Sequence, residues 1–199
     1  MPEIVHYFAP VSGYAYLGCS ALLDIARASG ARVVHRPVDI ARVFAEGGST
    51  PPVKQSDARR AWRARDMQMW AARRNLPLNA RPKHWPTDGA PAARAIVALQ
   101  MLHGPVDAFV SLTLEAVWAR DLDIADPAAL RALLAEAGAD PGEALACADG
   151  ADAGAAYEAN TAAAIAAGAF GSPTYIVDGQ FFFGQDRLDF VQAALEAGA

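Results

Sequence analysis

A serine stands where the sequence predicts the first helix to begin. Residues 3–9 are apolar and β-prone, and residues 14–29 place apolar side chains at helical spacing, with Gly30 directly after them. Ser12 therefore lies at a strand-to-helix turn, where free backbone N–H groups and the helix dipole stabilise negative charge. Its hydroxyl either caps the helix or donates a hydrogen bond to a thiolate that a ligand brings. The sequence leaves both roles open.

The turn carries no thiol of its own. Because Ser12-Gly13-Tyr14-Ala15 contains no cysteine, disulfide exchange at this position is chemically impossible. Cys19 and Cys147 do not form a disulfide framework by spacing, and Cys19 is predicted to be a small buried apolar residue. A hydrolase-type serine nucleophile has poor support, since no partner motif surrounds any of the histidines, which are His6, His35, His84 and His103.

Two further candidate segments lie near the C-terminus. Pro173, in Gly171-Ser172-Pro173-Thr174, either opens an edge strand or follows a cis peptide bond, which sequence alone does not decide. Gly184-Gln185-Asp186-Arg187 precedes the last predicted helix. Asp186 is interpreted as a plain N-cap, or this helix terminus binds the carboxylate of a ligand.

Composition excludes several classes of function. The chain has 199 residues, 53% of them hydrophobic, which is enough for a proper core, and a formal net charge of −5. That charge argues against nucleic acid as the main partner, because a phosphate backbone needs a basic face. No apolar run reaches the roughly 18 residues of a membrane helix. Met1-Pro2-Glu3 leads into a strand without a signal-peptide pattern, so we expect a reducing cytoplasm.

The elements that position these residues follow from periodicity. A second strand over 32–40 is parallel to the first if the helix between them is a crossover, and 46–53 is a loop. Asp178-Gly179 is a hairpin turn between strands 173–177 and 180–183, before a final helix over 187–197. Helices are predicted over 56–75 (capped by Ser56 or Asp57), 90–102, 105–119, 126–137, 141–148 and 151–168.

This order is strand-helix-strand, a helical block, then two strands and a helix. It predicts an α/β fold, a thioredoxin-like domain with a large inserted all-helical domain. Residues 1–40 and 169–199 are assigned to the thioredoxin-like domain and 41–150 to the insertion. The helix near 151–168 is placed at the boundary.

Three segments together resemble a known family. Phe8 to Gly18 resembles the serine-bearing turn of kappa-class glutathione transferases and bacterial 2-hydroxychromene-2-carboxylate isomerases. The tail from Gly168 to Leu188 is still more similar. Pro51-Pro52, followed by an Arg-rich helix that contains Asp66 and ends at Leu76-Pro77, matches in order and spacing. The resemblance spans nearly the whole chain.

The resemblance implies a homodimer that binds glutathione. It implies that Ser12 hydrogen-bonds the glutathione thiolate, and that Ser172, before a cis Pro173, pairs its backbone with the cysteinyl part. It also implies a γ-glutamyl site and a site for the glycyl carboxylate or a second substrate. The residues implied for the γ-glutamyl end are Gln185, Asp186 and Arg187. Those implied for the other site are Lys54, Arg59 and Trp85.

The chain departs from the family pattern at two positions. Gly13 stands where a proline usually follows the serine, so we expect a more flexible turn. Phe44 stands where the isomerases tend to have a lysine suited to an anionic aromatic acid. The missing lysine weakens the specific isomerase assignment but does not affect glutathione binding.

The function that this resemblance implies is glutathione-dependent cis-trans isomerisation of an aromatic carboxylate of the 2-hydroxychromene-2-carboxylate type, without a metal. Arginine, lysine and tryptophan residues of the insertion suit such a substrate. The alternatives are a kappa-class-like glutathione transferase, with the same site but a released adduct, and a non-catalytic module that binds thiols or peptides.

Overall fold

Four strands form one mixed sheet in the computed structural model, which describes residues 1–198. They are β1 (Glu3–Phe8), β2 (Arg32–Pro37), β3 (Thr174–Val177) and β4 (Gln180–Phe183), in the spatial order β2-β1-β3-β4. β1 pairs parallel with β2 and antiparallel with β3, and β3 pairs antiparallel with β4. The predicted parallel pair and C-terminal hairpin are therefore confirmed, with Asp178 and Gly179 at the turn, both at positive φ.

Helices surround this sheet and fill the chain between β2 and β3. They are α1 (Gly13–Ser29), α2 (Ile40–Glu46), α3 (Asp57–Arg73), α4 (Ala90–Met101), α5 (Val106–Trp118), α6 (Pro127–Glu136), α7 (Pro141–Ala148), α8 (Ala151–Ala166) and α9 (Leu188–Ala197). Short 3-10 turns lie at Pro52–Lys54 and Gln185–Arg187. Gly30 ends α1 in the left-handed conformation and Ser56 caps α3, as predicted. Within residues 1–198, no helix has the length and apolar character needed to cross a bilayer.

Two local predictions are wrong. The second strand ends at Pro37 rather than at residue 40, because the Asp39 side chain accepts from the N–H groups of Ala41 and Arg42 and starts α2. This cap outweighs the β-propensity of the flanking residues. Asp186 does not cap the last helix, since it lies inside a 3-10 turn and makes no capping bond.

Helix α1 is packed from both sides, which fixes its N-terminus. Leu22 lies in an apolar cluster with Tyr175 of the sheet, whereas Leu17 lies in a second cluster with Phe109 and Trp118 of α5. All of these side chains are buried. The fold class is as predicted, and the domain boundaries given above stay a prediction.

Candidate functional site

Ser12 caps α1 and reaches across to the loop before β3. Its Oγ accepts from the Ala15 N–H at 3.2 Å, so the capping interpretation is confirmed. The same hydroxyl donates to the carbonyl oxygen of Ser172 at 3.2 Å. Because the oxygen already accepts from the helix, its proton is the one group left to donate outward. Capping and donation to a partner are therefore compatible.

The Ser172 loop presents backbone groups to Ser12. The Ser172–Pro173 peptide bond is cis. The Ser172 Oγ accepts from the Ala9 N–H at 3.0 Å, which ties the loop to the end of β1. Among residues 1–198, no hydrogen-bond acceptor pairs with the Ser172 N–H. The backbone N–H and carbonyl of Ser172 therefore lie together, and an extended peptide needs such a donor and acceptor to pair with.

The third predicted segment is split between core and surface. Gln185 is buried, and its backbone carbonyl accepts from an Arg74 Nη2 at 3.1 Å. Its Oε1 is buried without a hydrogen-bond partner among the described residues. Asp186 and Arg187 are exposed and pair with each other at 2.7 Å. The Gln185 side chain is thus part of the packing against α1, and the two charged residues are open to a ligand.

A cluster of aromatic rings lies on the other side of the turn. The indole Nε1 atoms of Trp85 and Trp118 both donate to the carbonyl oxygen of Val11, at 3.1 and 3.2 Å. The guanidinium of Arg63 lies 5.4 Å from the ring centres of Tyr14 and Trp85 and 5.5 Å from that of Trp118. These distances are typical of cation–π contacts. We call Arg63 and these three rings the arginine box.

Burial within the arginine box lowers the pKa of Arg63, although the guanidinium stays charged. The Tyr14 hydroxyl donates to Asp66 Oδ2 at 2.7 Å, and burial together with this carboxylate raises the pKa of Tyr14. Tyr14 is therefore a neutral phenol at any physiological pH and has no role as a base.

Gly13 is required for packing, which differs from the flexibility expected above. A Cβ on this buried residue would lie 2.3 Å from Met67 Cε and 3.0 Å from the indole of Trp118. The Met67 methyl is the movable end of a flexible side chain, whereas Trp118 is buried, so a side chain at residue 13 would have to displace both. Gly13 therefore tightens the turn between Ser12 and the arginine box.

Of the residues implied for the second substrate, Trp85 is bonded to the turn through the Val11 carbonyl. Lys54 and Arg59 are exposed, and within residues 1–198 no hydrogen bond or ion pair links their side chains to the turn. Sequence reasoning missed Arg63, which lies one helical turn beyond Arg59 on α3. That spacing places the two arginines on one face of α3 but does not single out Arg63.

Neither cysteine takes part in the site. Cys19 is buried with its Sγ 3.4 Å from Ser111 Oγ, and burial raises the pKa of its thiol to about 11. The thiol is inert at neutral pH, which confirms the prediction for Cys19. Among residues 1–198, no three or more His, Cys, Asp and Glu side chains come together as a metal site would require.

Comparison with known proteins agrees with this architecture. The profile of the DSBA-like thioredoxin domain matches residues 3–196. The 2-hydroxychromene-2-carboxylate isomerase of Sphingobium xenophagum is 30% identical over 192 residues, which is 95% of each chain.

Solved structures share the fold. A 2-hydroxychromene-2-carboxylate isomerase (HCCA isomerase) superposes with a TM-score of 0.80 at 21% identity, covering 98% of this chain and 95% of that one. The cytosolic disulfide reductase DsbM of Pseudomonas aeruginosa, also solved with GSH, gives a TM-score of 0.70 at 23% identity over 98% of both chains. The chain therefore belongs to the DSBA-like thioredoxin domain family, alongside 2-hydroxychromene-2-carboxylate isomerase.

Proposed function

We propose that this protein is a glutathione-dependent cis-trans isomerase of an aromatic carboxylate of the 2-hydroxychromene-2-carboxylate type. The observation that carries the proposal is the contact between Ser12 Oγ and the Ser172 carbonyl at the N-terminus of α1, beside an unpaired Ser172 N–H. A serine, a helix terminus, the Ser172 carbonyl that accepts from that serine and a Ser172 N–H without an acceptor among residues 1–198 meet there, without any thiol of the protein. The arrangement suits a thiol that arrives on a peptide-like ligand.

The residues present fit glutathione. The Ser172 N–H and carbonyl match the carbonyl and N–H of its cysteinyl residue. Asp186 and Arg187 are a complementary pair for the ammonium and carboxylate of the γ-glutamyl end. The backbone N–H groups of Gln185 and Asp186 pair with no acceptor among the described residues, so they add donors for that carboxylate.

Ligand binding rearranges one hydrogen bond. The Ser12 hydroxyl has a single proton, which it gives to the Ser172 carbonyl in this structure. A cysteinyl N–H that pairs with this carbonyl replaces the Ser12 hydroxyl as its donor. The Ser12 proton then turns toward the sulfur, where it stabilises the thiolate together with the N-terminus of α1.

When bound, glutathione would supply a nucleophilic thiolate for reversible addition to a conjugated alkene, with the alkene electron pair taken up by the conjugated carbonyl, and expulsion of the thiolate after rotation would restore the alkene in the trans form. The protein holds the proton of Ser12 at the sulfur and aligns the second substrate beside the turn. A cation beside the turn would stabilise the negative charge that such an addition places on the substrate.

The substrate class rests on two observations. The relative that is 30% identical over nearly the whole chain is named as an isomerase of this type. The cation Arg63 also lies against the rings of Trp85 and Trp118, and both indoles are bonded to the Val11 carbonyl of the turn. Lys54 and Arg59, both exposed, remain proposed for the outer part of that site or for the glycyl carboxylate.

The proposal is tested by catalysis with less glutathione than substrate. Purified protein and 2-hydroxychromene-2-carboxylate are followed by the absorbance change of the alkene while free thiol is counted. Many turnovers per glutathione with no thiol lost support the isomerase, and loss of one thiol per product identifies a transferase. Ser12→Ala abolishes most of the activity, whereas Ser20→Ala, an exposed serine on the same helix, retains it. Failure to bind glutathione in calorimetry would instead indicate a non-catalytic module.

We also propose a homodimer in a reducing cytoplasm, as the resemblance and the use of cysteine imply. Sedimentation equilibrium at micromolar concentration measures the mass directly. A monomer at all concentrations would contradict this part of the proposal without affecting the site chemistry.

A further inference from the structure

Arg63 is held in place without using its hydrogen-bond donors. The rings of Tyr14, Trp85 and Trp118 all lie within 5.5 Å of the guanidinium carbon, so aromatic faces surround the cation. Cation–π contacts involve the charge and the faces of the guanidinium rather than its N–H edge. The five N–H groups of Arg63 are therefore left to bind something else.

No group of the protein takes these donors. Among residues 1–198, Arg63 makes neither a hydrogen bond nor an ion pair. The nearby carboxylate of Asp66 accepts from the Tyr14 hydroxyl instead. None of the Arg63 nitrogens is among the fully buried polar atoms without a partner, so each keeps some solvent contact although the guanidinium is partly buried. An unpaired, partly desolvated cation with accessible donors is a receptor for an anion.

The arginine box is also fixed relative to Ser12. The indoles of Trp85 and Trp118 both donate to the carbonyl of Val11, which is the residue before Ser12. The third ring belongs to Tyr14, two residues after Ser12. Any anion bound to Arg63 is thereby positioned against the same turn that carries the proposed thiolate site. This placement distinguishes Arg63 from the exposed arginines of α3.

The neighbouring cleft is a poor alternative for an anion. A cleft of about 540 Å³ lies behind residues 9–11, with Asp39, Asp88 and Glu158 in its wall. Arg94 is the cation that also lines this cleft, and the three carboxylates outnumber it. Like charge disfavours a carboxylate ligand there. The arginine box has fewer carboxylates beside it, those of Asp66 and Asp186, and Asp66 already accepts from the Tyr14 hydroxyl, so it is the less unfavourable place for an acid beside Ser12.

We propose that Arg63 binds the carboxylate of the second substrate, a flat acid whose carboxylate lies next to the carbon skeleton that reacts, and so selects acids over their neutral analogues. The inference rests on the proposed function for the identity of the reaction. The binding itself requires only the arginine box. Addition of a thiolate to the alkene would also place negative charge on the substrate. Arg63 would stabilise that charge, so it contributes to rate as well as to affinity.

The test measures acid binding without glutathione. Calorimetry compares trans-2-hydroxycinnamate with its neutral amide on the wild-type protein, and the acid is expected to bind at least about tenfold more tightly. Arg63→Met removes this preference, and Arg63→Lys retains part of it. Arg65→Met, an exposed arginine on the same helix, keeps the full preference. Circular dichroism confirms that the variants are folded.

Two results would overturn the assignment: equal binding of acid and amide by the wild-type protein, or an unchanged preference in Arg63→Met. Where Arg63→Met does not fold, Arg63→Gln takes its place with the same expected result. A separate glutathione titration by calorimetry tests the proposed function. If the protein prefers the acid but does not bind glutathione, Arg63 is still an acid receptor and the proposed isomerase function is contradicted. If it binds glutathione but does not prefer the acid, only the role of Arg63 is contradicted.

Discussion

The Ser12 hydroxyl donates to the Ser172 carbonyl at 3.2 Å although the two serines are 160 residues apart. This contact joins the first helix to the loop before β3, so both halves of the sheet contribute to one site. Donation by Ser12 to a bound thiolate, as proposed above, requires that this contact break, since the hydroxyl has one proton. The free energy of that exchange depends on what replaces Ser12 at the carbonyl and on what receives its proton.

Bound glutathione is therefore expected to have a lowered thiol pKa. The helix terminus and the Ser12 hydroxyl should place it about two pH units below the value of free glutathione. Thiolate absorbance near 240 nm against pH measures this directly. Ser12→Ala should restore about one unit or more, because a hydrogen bond to a charged group contributes about 1.5–3 kcal/mol. An unchanged titration curve in Ser12→Ala would reduce Ser12 to a helix cap.

Local signals in the sequence were sufficient for most of the fold. Gly30 and Ser56 mark helix ends through backbone conformation and capping, which depend on a few neighbouring residues. The strand predicted to residue 40 was wrong for a local reason too, since Asp39 is a standard N-cap that was interpreted as part of a β-prone run. Considering Asp39 as a possible N-cap predicts a helix that begins at residue 40, which is where α2 begins.

The site was predictable only in part, because some of its contacts are long-range. Ser12 and Ser172 stand in motifs that resemble a family, whereas Arg63 becomes a site residue through three rings from separate segments of the chain. No pattern along α3 distinguishes Arg63 from Arg59. Only the packing of α3 against α1 and α5 shows which arginine is enclosed.

A methyl group at Gly13 should destabilise the protein. Its Cβ would approach Met67 Cε to 2.3 Å and Trp118 to 3.0 Å, and Trp118 is tied to the Val11 carbonyl. We expect Gly13→Ala to lower the free energy of unfolding by about 1–3 kcal/mol, the usual cost of overpacking. Urea unfolding followed by circular dichroism measures the change.

The matched control is Gly154→Ala in α8, where nothing lies within 4 Å of the added Cβ. There the methyl group should stabilise the helix by about 0.5–1 kcal/mol. The same substitution is thus expected to have opposite signs at the two positions. A stabilised Gly13→Ala would show that the packing of α1 against α5 is looser than described.

The exposed cations Lys54 and Arg59 should contribute weakly. We expect Lys54→Ala and Arg59→Ala each to lower affinity for the second substrate by about 1 kcal/mol or less, because solvent screens exposed pairs. Glutathione affinity should change less. Calorimetry with both ligands measures each loss, with Arg65→Ala as the control. Equal losses for the two ligands would assign these residues to the glycyl carboxylate, and no loss for either would leave them as surface residues.

A buried histidine pair should make stability fall in mild acid. His6 and His35 are buried with their Nδ1 atoms 3.0 Å apart, and His35 Nε2 lies 3.2 Å from the carboxylate of Asp107. The His6 ring is stacked between Phe8 and Tyr175, and its Nε2 has no partner among residues 1–198. Burial, and secondarily the neighbouring His35, hold the pKa of His6 well below the ordinary 6.5.

Above pH 6.5 the folded and unfolded chains both hold His6 neutral, so stability is fully present there. As pH falls below 6.5, His6 binds a proton in the unfolded chain but stays neutral in the folded chain. The free energy of unfolding therefore drops by up to about 1.4 kcal/mol per pH unit. The loss continues until the pH passes the lowered pKa of the folded state. Urea unfolding between pH 7.5 and 5.5 measures the slope above the range in which carboxylates titrate. His6→Gln should flatten that slope, and His84→Gln, at a partly exposed position, should leave it as in the wild-type protein. If His6→Gln and the wild-type protein have equal slopes, His6 is not the source of acid sensitivity.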